Sequence, residues 1–444
     1  MRVKITFFIC HGSHRVSFLF DQHRTYCFFC FFNNPLYSKV DHFTLCCYAK
    51  QSRPDVSCIS QDQDGFSSCE ELLKNKILKY AIWVLGVIAI AGNFIVILCR
   101  IITKDTSRVN SFLLTNLAVA DFLMGVYMLI IAYKDNSWQG MYFKHDISWR
   151  ASDLCLFAGV ISTISSEVSV FTLTVVTLDR MICIVFPFRF RRITIQKAVV
   201  IMIFVWLLGS VIAFAPLFYQ SYFYDYKRNV HFFGRSAVCL PLQLSSDKPA
   251  GWEYSVSVFI ILNGVSFLFI LAAYLVMYRT ITKAASAVRS TRMNQNSTIA
   301  KRMMYIILTD FFCWFPVIII SILAITGNLY DPNKQVYVWI AVFVLPINSS
   351  INPFLYTFST SFVRKNLATH NLSGTFQKNS KGNLIKINCG ENYVRPTMKR
   401  TIVLCVHAIV PCLSLYVIVF YVIVYSTTLF STSLYSTSLY GIVF

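Results

Sequence analysis

A chain of 444 residues that is 56% hydrophobic and 14% charged is not an ordinary soluble domain, because those average about 25% charged residues. Its net charge of +20 suggests nucleic acid. Much of that charge, however, lies in short loops between apolar runs, where the cytoplasmic bias of Lys and Arg in membrane proteins is the simpler account. The lipid bilayer is therefore an expected partner and nucleic acid is not.

Residues 1–42 form a leader whose apolar patch, Ile5 to Cys10, is interrupted by His11, His14 and Arg15. A secretory core needs about 7–15 apolar residues, so the patch is short for one. Residues 43–76 are polar and hold Cys46, Cys47, Cys58 and Cys69, which read as an extracellular disulfide-bonded hinge. Four cysteines allow about three pairings, and spacing does not choose among them. Ser67 with Glu70 resembles a capping box opening the first helix. Elsewhere the fifteen cysteines lack zinc-site spacing, and Cys-x-x-Cys occurs only at Cys27 and Cys30.

Seven apolar segments follow within 77–358: Ile77–Cys99, Phe112–Tyr133, Leu154–Ile184, Ala198–Tyr219, Tyr254–Tyr278, Met303–Ile325 and Val336–Phe358. Each is long enough to cross ~30 Å of hydrocarbon as a helix. A helix satisfies its own backbone in lipid, and the strand alternation of a barrel is missing. The expected fold class is an all-α membrane protein, a seven-transmembrane helix bundle.

Loop charge orients it. The first loop carries Arg100, Lys104 and Arg108, and the third Arg189, Arg191, Arg192 and Lys197. The fifth adds Arg279, Lys283, Arg289, Arg292, Lys301 and Arg302. The alternate loops hold fewer, so the richer side is expected to be cytoplasmic and the N-terminus extracellular. Cys155 and Cys239 then share the outer side, where a disulfide would pin the fourth loop to the bundle; two free thiols are the alternative. Residues 359–400 read as a basic cytoplasmic tail, with Phe362, Arg364 and Lys365 beginning a short interfacial helix. Residues 401–444 hold a further apolar run, 401–425, broken by His407 and Pro411, and then a tandem STSLY repeat. An eighth span, a membrane-lying segment and non-natural coding sequence all fit this extension.

Polar residues inside the spans point to function, since ionisable groups are costly there. They include Asn93, Asp121, Ser166, Glu167, Ser169, Asp310, Asn348 and Asn352. Asp121, Ser169, Asn348 and Asn352 offer the oxygens a hard cation prefers, so a hydrated cation at this network is one reading and a dry packing network the other. Glu167 is either a functional carboxyl or a buried group that ties helices together. Pro316 and Pro353 each remove a helix hydrogen bond and permit a kink. Arg180 is a lock for the helices that swing, or a snorkelling arginine near a span end.

Taken as an ordered set, Gly92-Asn93, Asp121 in NLAVAD, Cys155, Asp179-Arg180-Met181, Trp206, Cys239, Cys313-Trp314-Phe315-Pro316 and Asn352-Pro353-Phe354-Leu355-Tyr356 resemble the rhodopsin-like (class A) G-protein-coupled receptors. Met181 stands where that family usually has tyrosine, and Ser266 lies near the place of its fifth-span proline. SSEVSVFTLTVVTLDR, Asp310 before CWFP and LPINSSINPFLYTFST are similar to the leucine-rich-repeat-containing branch. CCYA, DGFSSCEELL, DFLMGVY and ICIVFPFR are most like the relaxin-family peptide receptors. The likeness covers about residues 43–367 and includes no leucine-rich repeat array.

The resemblance implies a hormone receptor in the plasma membrane, driven by a relaxin-like or glycoprotein-type peptide or protein hormone. It implies coupling to a heterotrimeric G protein, stimulatory by first expectation, with a rise in cyclic AMP. Asp179, Arg180, Asp310, Trp314, Pro316, Asn352, Pro353 and Tyr356 would form the switch, and Asp121, Ser169, Asn348 and Asn352 a sodium pocket. The alternative is a truncated or decoy receptor without hormone capture. A transporter would show repeats with broken helices, and an enzyme a HExxH, GxSxG or similar set. Neither pattern is present, so no enzyme activity and no other cofactor are expected.

Overall fold

The structure, a computed structural model, describes residues 43–52, 57–62, 68–102, 108–187, 189–226, 230–241, 250–287, most of 314–326 and 345–359, with the backbone of short strands nearer both ends. Five helices are long and apolar enough to cross a membrane: Lys76–Ile102, Arg108–Ser137, Asp153–Val185, Ile195–Phe218 and Trp252–Thr282. Each coincides with an apolar run and extends it by a few residues. Residues 314–326 hold helical turns in the sixth run, and Leu345–Ser359 is helical in the seventh. Among the described residues, strands lie only outside the spans. One such pair is parallel, Tyr37–His42 with Ser57–Asp62.

Local signals explain where these helices begin. Ser152 caps the third span by accepting the Cys155 amide at 3.2 Å, and Asp153 suits the positive end of the helix dipole. Thr194 caps the fourth span in the same way, accepting from the Lys197 amide. The fourth span also shows how the bundle meets its solvent. Val200, Ile203, Phe204, Leu207 and Val211 recur at helical spacing and are all more than half exposed, whereas Ala198, Met202, Val205 and Gly209 are buried. An exposed face this apolar is suited to lipid, not to water.

Close packing between the first two spans comes from glycine. A Cβ on Gly125 would stand 2.7 Å from Ile90 Cγ1, and one on Gly86 would stand 2.9 Å from Leu129 Cδ2. Gly92 does the same for the seventh span, where a Cβ would fall 2.9 Å from the Pro353 ring. Gly209 brings the fourth span against Val168 of the third.

Three features depart from sequence expectation. The hinge pairing left open is resolved as Cys46–Cys58 and Cys47–Cys69. The capping box is displaced. Ser67 lies outside the described residues, and Ser68 pairs reciprocally with Glu71, its Oγ accepting the Glu71 amide at 2.9 Å. That bond closes a hinge turn, and the first span starts later, at Lys76. In the fifth span, which has Ser266 near the place of the family's proline, a π-helical stretch runs over Val256–Leu262 that sequence reading did not anticipate.

Residues 1–15, most of the tail 359–400 with its expected interfacial helix, and the extension 401–444 lie outside the described residues.

Candidate functional site

Two prolines free a carbonyl, and each freed carbonyl is met by a side chain from a neighbouring helix. Pro353 has no N–H, so the Ser349 carbonyl, one helical turn earlier, loses its usual partner. Asn93 Nδ2 of the first span donates to it at 3.0 Å and to the Ala89 carbonyl at 2.9 Å. Gly92 is what lets the proline come near enough. Pro216 in the fourth span likewise frees the Ile212 carbonyl, and the Tyr254 hydroxyl donates to it at 2.6 Å.

Beside the first of these contacts lies the polar centre. Asp121 is fully buried, and Asn352 Nδ2 donates to its Oδ2 at 2.8 Å. Ser169 and Ser349 stand beside the carboxylate. Ser350 Oγ donates to the Leu85 carbonyl at 3.0 Å, and Ser165 Oγ to the Ala120 carbonyl at 2.7 Å. First, second, third and seventh spans thus meet through polar groups in an apolar interior. Asp121 Oδ1, Ser169 Oγ, Asn348 Oδ1 and Asn352 Oδ1 are buried and lack a hydrogen-bond partner among the described residues. Such oxygens are costly when dry, and a carboxylate, a hydroxyl and two amides are a donor set that suits a hard monovalent cation. The residues named from sequence therefore fit such an ion.

Glu167 belongs to a second buried pair. Asn263 Nδ2 of the fifth span donates to its Oε1 at 3.2 Å, while Glu167 Oε2 and Asn263 Oδ1 have no hydrogen bond among the described residues. Asn263 follows directly on the π-helical stretch, so the irregular backbone and the polar pair adjoin. Ser166 is buried one residue away. Trp206 Nε1 donates to Asn116 Oδ1 at 3.0 Å, tying the fourth span to the second. Trp314 is buried, with its ring 5.8 Å from that of Phe267.

Arg180 closes the opposite end of the third span from Cys155. Its Nη2 pairs with Asp179 Oδ2 at 2.9 Å and donates to Asn110 Oδ1 at 3.2 Å. Asp310, Cys313 and Pro316 lie outside the described residues, as does the Tyr356 side chain.

The Cys155 end is a stitched cap. Cys155 and Cys239 form the expected disulfide, with Cα atoms 5.4 Å apart. Trp149 Nε1 donates to the Ala237 carbonyl at 2.7 Å, and the Tyr127 hydroxyl to the Val238 carbonyl at 2.8 Å. Arg150 pairs with Asp146 at 2.8 Å and donates to the Arg235 carbonyl at 2.8 Å. Phe233 occupies the space that a Cβ on Gly159 would need. His231 Nδ1 accepts the Gly234 amide at 3.1 Å, and burial holds its ring pKa below the usual histidine value. The hinge is fastened to the same end. The Leu73 amide donates to Asp135 Oδ1 at 2.9 Å, Gly140 N to the Glu70 carbonyl at 2.8 Å, and Lys79 bridges Glu71 at 3.0 Å and Asp135 at 3.7 Å.

Sequence reading singled out Asn93, Asp121, Asn352 and the Asp179–Arg180 pair, and the structure joins Asn93 to the backbone beside Pro353 and Asp121 to Asn352. It did not find Asn110, Tyr254, Pro216, Asn263 or Asp135. A polar residue or proline inside a long apolar run was the available signal for Asn263 and Pro216; the others sit near run ends, where polarity is ordinary.

Residues 92–356 match the family described as 7 transmembrane receptor (rhodopsin family). The chain is similar to the G-protein coupled receptor GRL101 of Lymnaea stagnalis, at 48% identity over 323 residues, which is 73% of this chain and 28% of that protein. It is similar to relaxin receptor 2 of Canis lupus familiaris, at 33% over 379 residues, covering 80% of this chain and 50% of the relative. With the follicle-stimulating hormone receptor of Cairina moschata it shares 34% over 314 residues, 70% of this chain and 42% of the relative. The chain thus spans half or less of the length of these curated relatives.

Proposed function

The chain belongs to the rhodopsin family of seven-transmembrane receptors, in its leucine-rich-repeat-containing branch, and from that premise we propose that it relays a hormone signal from outside the cell to a heterotrimeric G protein. The family is one of multi-pass membrane receptors, not of enzymes. In this reading the Cys155 end and the N-terminus are extracellular, the Arg180 end is cytoplasmic, and the membrane is the plasma membrane. The ligand is a relaxin-like or glycoprotein-type hormone, and coupling is stimulatory.

The observation that carries the reading is the third span itself. One helix, Asp153–Val185, is anchored at one end by Cys155–Cys239, passes beside Asp121, and holds Arg180 at the other end. A ligand that favours one arrangement of the bundle shifts the population at the far end of such a helix. Arg180 leaves Asp179 and meets the G protein; Asp310, Trp314, Pro316, Pro353 and Tyr356 supply the moving helices. Asp121, Ser169, Asn348 and Asn352 would hold a sodium ion, whose charge would offset the buried carboxylate.

Cyclic AMP in cells expressing the chain tests this, with and without relaxin-like peptides, beside Arg180→Ala and a surface-expression control. A rise that needs Arg180 is expected. Surface-expressed protein that leaves cyclic AMP unchanged under every peptide would sink stimulatory coupling and favour a decoy or another G protein.

A further inference from the structure

Arg180 is 9% exposed, so its charge must be met by partners. Asp179 is one, but it is the neighbouring residue on the same helix and moves with it. Arg180 Nε is buried and has no hydrogen-bond partner among the described residues. There, the guanidinium is hydrogen-bonded to another helix through Asn110, whose Oδ1 accepts from Nη2 at 3.2 Å.

The sequence of the fifth and sixth spans adds a second observation. From Tyr254 through Thr309 there is no Asp or Glu, while Arg279, Lys283, Arg289, Arg292, Lys301 and Arg302 all fall in this stretch. Whatever its placement, it has no carboxylate with which to hold a guanidinium, and its net charge repels one. Residues 186–197, which follow the third span, contain no carboxylate either. Up to Asp310, a carboxylate that restrains Arg180 from outside its own helix must therefore come from another element.

We infer that Asn110, at the start of the second span, is the positioning residue that keeps Arg180 folded against Asp179 in the resting receptor. This rests on the receptor reading above. An amide oxygen suits the task. It orients the guanidinium by a charge-assisted hydrogen bond, but brings no second buried charge whose desolvation would make the contact hard to form or to release. Signalling then has this polar contact to break at Arg180, and the tie lies between the second and third spans.

The test is basal nucleotide exchange on a panel of purified heterotrimers, driven by the full chain in lipid nanodiscs and normalised to folded receptor. Loss of one charge-assisted hydrogen bond shifts a two-state ratio by about tenfold. Asn110→Ala is expected to raise basal exchange by up to about that factor. Asn110→Asp places a carboxylate against the guanidinium and is expected to lower exchange below wild type. This opposition of sign is something that simple damage to the second span would not produce. Should the alanine variant fail to fold, Asn110→Ser and Asn110→Asp carry the test. Equal exchange by wild type and variants, a fall with alanine or serine, or a rise with aspartate overturns the role of Asn110 and leaves the receptor reading standing. Absence of exchange by wild type and every variant on every heterotrimer overturns both.

Discussion

Removing the amide of Asn93 isolates the energy of one proline-freed carbonyl. In Asn93→Ala, the Ala89 carbonyl still keeps its helical N–H partner, so that lost bond costs little. The Ser349 carbonyl has no such reserve, because residue 353 is proline. A buried acceptor left without a donor costs about 1–3 kcal/mol, and hydrogen bonds between membrane helices average about 0.6 with a maximum of about 1.7 kcal/mol. The site is fully buried, so we expect the upper part of the membrane range, about 1–2 kcal/mol, or about 2–8 °C in apparent melting temperature at about 2–4 °C per kcal/mol. The assay is thermal unfolding of the purified receptor followed with a thiol-reactive dye, for which Cys183 is a partly buried free thiol. The decisive comparison is a double-mutant cycle. Pro353→Ala restores an N–H that can reach the Ser349 carbonyl, so Asn93→Ala should cost about 1 kcal/mol less in that background. An equal cost in both backgrounds would refute the reasoning and assign the effect to packing alone.

The same logic predicts that Tyr254→Phe lowers stability by about 1 kcal/mol and that Pro216→Ala removes most of that loss, read by the same unfolding assay. Asp135→Leu should unfasten the hinge, seen as faster amide hydrogen exchange over residues 68–75, with Leu73 most affected. Acid should loosen the cap through His231. Its folded pKa is lowered, so the unfolded chain takes up the proton first. Stability from this group is then complete above the unfolded pKa of about 6.5 and declines as pH falls below it, and His231→Gln should flatten that part of the melting-temperature profile. Sodium chloride should raise the melting temperature of wild type more than choline chloride does, and Asp121→Asn should abolish the difference.

The helices were legible because hydropathy over twenty residues is a coarse and redundant signal. The intramembrane polar residues stood out for the same reason, since Asp121 or Asn352 is conspicuous in an apolar run, whether it packs dry or holds an ion. Pairings were another matter. Ser67 with Glu70 and Ser68 with Glu71 fit the same local pattern; in the structure Glu71 closes the turn while the Glu70 carbonyl accepts from Gly140 across the chain. Cys46 and Cys47 are adjacent, and their partners depend on how the hinge strand and helix pack. Asn110 and Asp135 look like ordinary polar residues at helix ends. Their meaning comes from Arg180 and from the Leu73 amide, at 70 and 62 residues' separation. The π-helical stretch in the fifth span left no sequence mark comparable to a proline.

The contact between Asn93 and the Ser349 carbonyl also limits how the seventh helix can move. It holds the backbone one turn before Pro353, where Gly92 leaves room for the ring against the first span. A helix held there is a lever with a fixed fulcrum. The stretch before Ser349 and the stretch beyond Pro353 can tilt in opposite senses about it, but the whole helix cannot slide along its axis without first breaking that bond. A small displacement at one end is thereby returned as an angular one at the other.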